Sequence, residues 1–184
     1  MMRRFFIDER TILRPLSEQD VPRLYAAVDT NRDHLRRFLA WLDNTRSPLD
    51  IDAFRMRVLA EEREGVGVTR IIERDHQVSG VVALTQVDQF NHRAELGYWI
   101  DQHLEGHGIC RRACGQLIQY AFEELELNRL TVAAALENKR SRALAERLGF
   151  TLEGVRRESE WLYDHYVDHA LYGLLRREWR APRT

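Results

Sequence analysis

The chain contains a glycine-rich loop, Gly106-His107-Gly108, at the junction between two different hydrophobic patterns. Residues 94–100 before the loop have the composition of a β-strand. Residues 109–125 after it have apolar positions three and four apart, as in an amphipathic helix. Two glycines at the start of a helix let backbone N–H groups converge on an anion, where the helix dipole is positive and four donors lack helical partners. The loop therefore predicts a strand–loop–helix unit with a cradle for a diphosphate group.

Length and composition exclude several classes of protein. The 184 residues, 44% hydrophobic and 31% charged, are typical of one globular domain, predicted here over 1–184 with its core at about 9–180. A net charge of −1 supplies no field that would attract nucleic acid, so no such partner is expected. No apolar segment approaches membrane-spanning length, and residues 1–6 do not lead into a signal-peptide core. The expected location is therefore the cytoplasm, with no membrane partner.

The two cysteines, Cys110 and Cys114, lie four residues apart on the predicted helix. This spacing places them on one helix face and does not suggest a disulfide framework. A metal site would need two further ligands close by, and the sequence nominates none. We interpret both as inert helix-face thiols and predict no metal.

Strand and helix patterns alternate along the rest of the chain. Pro15 marks an edge or the end of a first strand, Ser17 is a candidate helix N-cap, and Gly149 is a natural helix terminator. The predicted strands are 11–16, 66–73, 78–87, 93–100, 129–135, 150–161 and 166–175, and the predicted helices are 17–28, 34–39, 47–65, 109–125 and 138–148. Together they predict an α/β fold, α+β by some schemes.

Several segments in a fixed order carry a resemblance to a known family. They are AELGYWI at 94–100, GHGI at 106–109, YAFEELELNR at 120–129, NKRSRA at 138–143, ERLGF at 146–150, EG at 153–154 and LLRREW at 174–179. Taken together they resemble the GNAT superfamily of acyl-CoA-dependent N-acetyltransferases, and more closely its RimJ/RimL-type branch. The resemblance extends over about residues 11–179.

The resemblance implies a GNAT fold, whose central mixed, mostly antiparallel sheet is flanked by helices and splayed between its fourth and fifth strands. It also implies that acetyl-CoA is the cofactor and lies in this gap. The loop amides would hold the diphosphate, and the strand before the loop would pair with the pantetheine arm. The residues expected to contact the cofactor are Tyr98, Trp99, Ile100, His103, Gly106, His107, Gly108, Ile109, Cys110, Arg111, Asn138 and Ser141. His103 departs from the Gln or Arg frequent in the family, and His107 either contacts a phosphate or is an exposed loop histidine.

Acetyl transfer to an amine needs a neutral nucleophile, a stabilised oxyanion and help for the departing thiolate. Glu95 is the candidate base, because the family often places a glutamate there; the alternative is an ion pair with Arg93 or Arg129. The family's usual acid, a tyrosine seven residues after the asparagine, falls on Ala145, which cannot donate a proton. RimL-like members carry a serine three residues after the asparagine, which is Ser141 here. The alternative role of Ser141 is to cap its own helix.

The resemblance implies direct acetyl transfer in a ternary complex to the N-terminal α-amine of a protein, notably a ribosomal one. An α-amine has a pKa of about 7.7–8.0 against about 10.4 for lysine, so it suits a modest base. The alternatives are a small amine (polyamine, amino acid or antibiotic) and a non-catalytic acyl-CoA-binding module. A homodimer is implied at the family level only.

The acceptor groove is expected between the early helices and the closing hairpin. Its predicted lining residues are Asn31, His34, Trp41 and Tyr163. Trp41 and Trp161 could instead pack in the core, which we favour for both. His34, Arg36 and Arg37 either attract an acidic acceptor or form a solvated helix face.

Overall fold

An eight-stranded sheet organises residues 3–180, the part of the chain that this computed structural model describes. Its strands are β1 (Phe5–Asp8), β2 (Thr11–Arg14), β3 (Val68–Arg74), β4 (Gln77–Asp88), β5 (Arg93–Ile100), β6 (Arg129–Ala135), β7 (Thr151–Leu162) and β8 (His165–Leu175). Their spatial order is β1-β2-β3-β4-β5-β6-β8-β7. Only β5 and β6 run parallel, and the other neighbours are antiparallel. The predicted mixed, mostly antiparallel sheet is confirmed.

Helices cover both faces of this sheet. They are α1 (Val21–Thr30), α2 (Arg32–Arg36), α3 (Pro48–Glu64), α4 (Ile109–Glu123) and α5 (Lys139–Arg147). Successive strand residues point to opposite faces, so Ile71 and Val81 pack with α1 and α3, while Ile72 and Val82 pack with α4 and α5. Within residues 3–180, none of the helices is both long and apolar enough to cross a bilayer.

The parallel pair β5–β6 separates soon after it forms. Only Arg93–Glu95 of β5 pair with Arg129–Thr131 of β6, although β5 continues to Ile100 and β6 to Ala135. The two strands therefore diverge beyond Glu95 and leave a gap in the sheet. Counted from the strand at Thr11, they are the fourth and fifth strands, so the predicted splay is confirmed.

Local sequence explains where most of the elements begin and end. Asp50 accepts a 2.8 Å hydrogen bond from the Ser47 N–H at the start of α3, and Gly65 ends that helix with a φ of 74°. The β3–β4 hairpin turns at Asp75 and His76, which both have positive φ although neither is glycine. The hairpin predicted at 74–77 is thus confirmed without the usual glycine signal.

The first strand region differs from the prediction. β1 was not predicted, and it pairs with β2 as the outer strand of the sheet. β2 ends at Arg14, directly before Pro15, and lies between β1 and β3. Pro15 therefore marks a strand end, and its interpretation as an edge signal is wrong. The short helix predicted at 34–39 begins earlier, at Arg32, because it continues almost directly from α1.

Candidate active site

The glycine loop has the backbone conformation that an anion cradle needs. Gly106 and Gly108 have φ values of 80° and 72°, in the left-handed region that favours glycine, and Gly108 is the N-cap of α4. The first helical hydrogen bond runs from the Arg112 N–H to the Gly108 carbonyl at 3.1 Å. The amides of Ile109, Cys110 and Arg111 therefore have no partner within the helix. The buried Ile109 side chain fixes the loop to the core.

Several basic side chains surround the glycine loop, most of them exposed. His103 is exposed in a short turn, and its backbone N–H donates to the Asp101 carboxylate. His107 is also exposed, and its ring bonds to the Glu105 carbonyl at 3.0 Å. Arg111 is also exposed. Arg112, which is not among the predicted residues, bonds through its guanidinium to Asp8 of β1 at 2.9 Å and lies 3.2 Å from where a Cβ of Gly108 would stand. A basic residue in the first turn after a glycine loop is the signal that identifies it.

A polar contact joins β5 to α5 beside the gap between β5 and β6. The side-chain amide oxygen (Oδ1) of Asn138 accepts a hydrogen bond from the Ser141 N–H at 3.1 Å and so caps α5. The Ser141 hydroxyl instead lies 3.1 Å from the Tyr98 hydroxyl of β5. The alternative in which Ser141 caps its own helix is therefore wrong. Cys110 is half-buried and Cys114 is buried, and burial raises the pKa of the Cys114 thiol.

Glu95 stands where the two strands begin to separate. Neither arginine proposed as its partner reaches it: Arg93 pairs with Asp88 at 3.3 Å, and Arg129 pairs with Glu153. The ion-pair alternative is wrong. Burial raises the pKa of the Glu95 carboxyl, while the charges of Arg156 and His169 pull it down. Two residues further along the same face, the exposed Gly97 leaves open space beside the carboxylate.

A large bulge in β7 faces this site. Arg156 pairs with His169 of β8, but the next pair is Glu160 with Val167, so several residues of β7 loop out opposite one residue of β8. The bulge brings the Glu160 carboxylate within 3.3 Å of the His169 ring. Neither Glu160 nor His169 is among the residues predicted for the site, since only the irregular register brings them together.

One of the predicted groove residues is a structural residue. Asn31 is 1% exposed, and its amide bonds to the Ala27 carbonyl, the Asp101 carboxylate and the Gln102 N–H at 2.9, 3.1 and 2.9 Å. These bonds tie the end of α1 to the segment that follows β5. The prediction that Asn31 lines the groove is wrong, because all of its polar atoms are already used.

His34 connects α2 to the segment directly before the glycine loop. Its ring lies 2.8 Å from the Glu105 carboxylate, which also pairs with Arg140 of α5. Burial and the charges of Arg37 and Arg140 lower the pKa of His34. His34 is thus held against Glu105 next to the glycine loop, and the solvated-face alternative does not apply to it.

The closing hairpin contacts the early helices directly. The Tyr163 hydroxyl donates to the Leu39 carbonyl at 2.5 Å, and the Arg36 guanidinium lies 3.7 Å from the Tyr163 ring centre while bonding to Asp43. Arg37 is exposed beside them. These contacts join the two predicted walls of the groove at one end.

The two tryptophans predicted for the core are only partly buried. Trp161 is 53% exposed on β7, and Trp41 is 37% exposed. Trp41 and Trp99 line an apolar cavity of about 370 Å³ between α1, α3 and β5. The preference for the core is wrong for both Trp41 and Trp161, and the expectation that Trp41 lines the acceptor groove stays a prediction.

Comparisons with known proteins agree with this geometry. Residues 10–151 match the family model described as an acetyltransferase (GNAT) domain. The chain is 36% identical over 181 residues to YdaF of Bacillus subtilis (strain 168), covering 96% of this chain and 97% of YdaF. This chain belongs to the GNAT acetyltransferase family. It is therefore an acetyl-CoA-dependent N-acetyltransferase.

Two further relatives extend the comparison along most of this GNAT chain. The ribosomal-protein-serine acetyltransferase of Escherichia coli (strain K12) is 29% identical over 169 residues, covering 92% of this chain and 94% of the relative. The solved structure of the microcin C7 self-immunity acetyltransferase MccE, in complex with acetyl-CoA and AMP, superposes with a TM-score of 0.87 at 26% identity. That match covers 92% of this chain and 94% of MccE.

The residues of this GNAT enzyme fit acetyl-CoA. The free amides of the glycine loop suit a diphosphate, and an added Cβ at Gly106 would point into open space, where a ligand can approach the backbone. The backbone of Tyr98, Trp99 and Ile100 borders the gap that a pantetheine arm would occupy. When bound, acetyl-CoA supplies an acetyl group activated as a thioester. The individual contacts expected of the cofactor-binding residues stay predictions.

Replacing Gly106 by alanine tests the cradle. We expect about tenfold weaker binding of coenzyme A by calorimetry, because an L-residue with a φ near 80° is strained and its Cβ would stand where the ligand approaches. Gly65→Ala is the matched control, since Gly65 has a φ of 74° and equally open surroundings but lies at the far end of α3. Both variants should lose similar thermal stability. Equal affinities for coenzyme A in the two variants would contradict the cradle.

Proposed function

We propose that this enzyme acetylates the N-terminal α-amine of a protein, of the ribosomal-protein type, by direct attack in a ternary complex. The observation that carries the proposal is Glu95, a half-buried carboxylate that forms no ion pair with Arg93 or Arg129, beside the open strand face at Gly97. The relative in Escherichia coli named a ribosomal-protein-serine acetyltransferase supports this acceptor class.

The pKa values of the candidate substrate amines favour an α-amine over a lysine side chain. A partly buried carboxylate whose pKa is raised is a better proton acceptor than an ordinary one, but it still cannot deprotonate lysine efficiently. An α-amine, with a pKa of about 7.7–8.0, is partly neutral near pH 7, whereas lysine at about 10.4 is almost fully protonated. The arginines at the groove end also disfavour a polyamine, which carries positive charge throughout.

In this proposal, each of the three requirements of acetyl transfer is met by a group of this chain. Glu95 accepts the amine proton, directly or through water. A backbone N–H of β5 near Trp99 or Ile100 stabilises the developing oxyanion. Ser141 donates a hydrogen bond to the departing sulfur, which needs little help because thiols have a pKa of about 8.5.

A panel of acceptors, monitored by release of free thiol from acetyl-CoA, tests this function. Peptides that start with Ser or Ala should give a kcat/KM at least tenfold higher than the same peptides with a blocked N-terminus and a free lysine. Preferred turnover of spermidine or an amino acid would identify a small-amine enzyme. Coenzyme A binding without thiol release from any acceptor would indicate a non-catalytic module.

The homodimer stays a prediction as well. Sedimentation velocity at micromolar concentration distinguishes a dimer from a 21.8 kDa monomer.

A further inference from the structure

We infer that Tyr98 is a positioning residue whose hydroxyl orients the Ser141 hydroxyl toward the sulfur that leaves during acetyl transfer. The inference rests on the proposed function, because it assigns a task to the partner of Ser141. It concerns the Tyr98 side chain, whereas the cofactor contact expected from the resemblance uses the backbone of this residue.

The contact spans the gap in the sheet. Tyr98 lies on β5, beyond the last residue that pairs with β6, and Ser141 lies in the first turn of α5. The two hydroxyl oxygens are 3.1 Å apart, and the Tyr98 hydroxyl is also 3.2 Å from the Ser141 carbonyl. The Ser141 N–H is already bonded to Asn138. The serine backbone is therefore fixed, and only the rotation of its hydroxyl remains to be set.

The single proton of the Tyr98 hydroxyl has two acceptors within reach, the carbonyl oxygen and the hydroxyl oxygen of Ser141, and the inference is that it is donated to the hydroxyl oxygen during transfer. Each hydroxyl has one proton to donate and lone pairs to accept with. When Tyr98 donates to the Ser141 oxygen, the serine proton is free to point toward a third group in the gap. Without Tyr98, the serine proton can turn instead to a nearby backbone carbonyl, as serines in a first helical turn often do. With its proton on the Ser141 hydroxyl oxygen, Tyr98 holds Ser141 in the orientation in which it is a donor toward the gap.

Tyr98 remains a donor over the whole working range of pH. Burial raises the pKa of its hydroxyl far above the usual value, so it keeps its proton. In the transfer step, Glu95 takes the proton that the amine loses as the carbon–nitrogen bond forms. Ser141 donates its hydrogen bond to the sulfur that receives the electron pair of the broken carbon–sulfur bond. Tyr98 itself transfers no proton.

Tyr98→Phe, Ser141→Ala and the double variant test the inference. Tyr98→Phe should lower kcat about fivefold to tenfold, the value of one neutral hydrogen bond, with the KM for acetyl-CoA within about twofold of wild type. Because Tyr98 acts through Ser141, the double variant should be no slower than Ser141→Ala alone. Tyr172→Phe is the matched control: Tyr172 is buried and also bonds to α5, through Glu146 at 3.0 Å and Arg142 at 3.2 Å. It should lower the Tm while kcat stays within about twofold.

The outcomes separate this inference from the proposed function. Losses that multiply in the double variant, or a kcat of Tyr98→Phe equal to wild type, would overturn the role of Tyr98 in an enzyme that is still active. A weaker affinity for coenzyme A with unchanged kcat would make Tyr98 a structural or binding residue only. A wild-type protein that releases no thiol with any acceptor would remove the proposed function, and this inference with it.

Discussion

Replacing Glu95 by glutamine is expected to lower kcat about 100-fold, the smallest loss usual for removal of a general base. Glutamine keeps the size and the hydrogen-bonding capacity of the side chain but cannot accept the amine proton. The affinity for coenzyme A should stay within about twofold, because Glu95 lies where β5 is still paired with β6, before the gap opens. Steady-state kinetics with a reactive peptide, together with calorimetry, measure the two effects separately.

The pH dependence gives the same prediction a second readout. The α-amine of the peptide must be neutral to react, so it gives an acidic limb of kcat/KM at about pH 8 in every variant. Burial raises the pKa of Glu95 above its usual 4.5, so a second acidic step should lie above 4.5 in the wild type and disappear in Glu95→Gln. The raised pKa also means that ionising Glu95 costs folding free energy, a cost that is absent at low pH and complete above the folded pKa. At neutral pH, Glu95→Gln should therefore have a Tm equal to or above wild type, which excludes unfolding as the cause of lost activity.

Glu153→Gln is the matched control for this experiment. Glu153 lies in the same sheet, and Arg129 holds its pKa below the usual range, so it cannot serve as a base near neutrality. Its kcat should stay within about twofold of wild type. A Glu95→Gln enzyme as fast as this control would show that another group, or the solvent, accepts the amine proton.

The parts of the site that depend on neighbouring residues could be predicted from the sequence. The positive φ angles of Gly106 and Gly108 follow from local chain geometry, and so does the start of α4 directly after them. The two-residue alternation that sends Ile71 and Ile72 to opposite cores is equally local. The gap between β5 and β6 is different. No composition pattern specifies it, and it was expected only because the ordered motifs resemble a family that has it.

Residues defined by distant partners could not be placed in advance. Asn31 resembles a groove residue in the sequence, but its amide is bonded to residues about 70 positions away, beyond β5. Glu160 meets His169 only because β7 bulges, and strand periodicity assumes a regular register. β1 has only four residues, too few for a reliable alternation, and it is defined by its pairing with β2.

The largest expected change in stability comes from a buried ion pair remote from the site. Arg70 of β3 is 0% exposed, and its guanidinium makes two 2.7 Å bonds to Glu62 of α3 and further bonds to the carbonyls of Arg3 and Thr69. Glu62→Leu removes the carboxylate and leaves the positive charge buried. Such a change costs about 3–5 kcal/mol, a large part of the stability of a typical domain, and should lower the Tm by on the order of 10 °C. Thermal and urea unfolding measure it.

Two further variants show whether the unpaired buried charge of Arg70 causes this loss of stability. Glu61→Gln breaks the neighbouring pair with Arg57 on the same helix, but that arginine is 60% exposed, so the loss should stay below about 1 kcal/mol. The double variant Glu62→Leu/Arg70→Met removes the charge together with its partner and should recover most of the loss, since a buried ion pair is often no more stable than apolar residues of similar size. If the double variant is as unstable as Glu62→Leu alone, removing the charge gives no net gain, because the packing of Arg70 is lost and the carbonyls of Arg3 and Thr69 are left without a donor. Recovery would instead mean that Glu62 chiefly offsets the cost of burying Arg70.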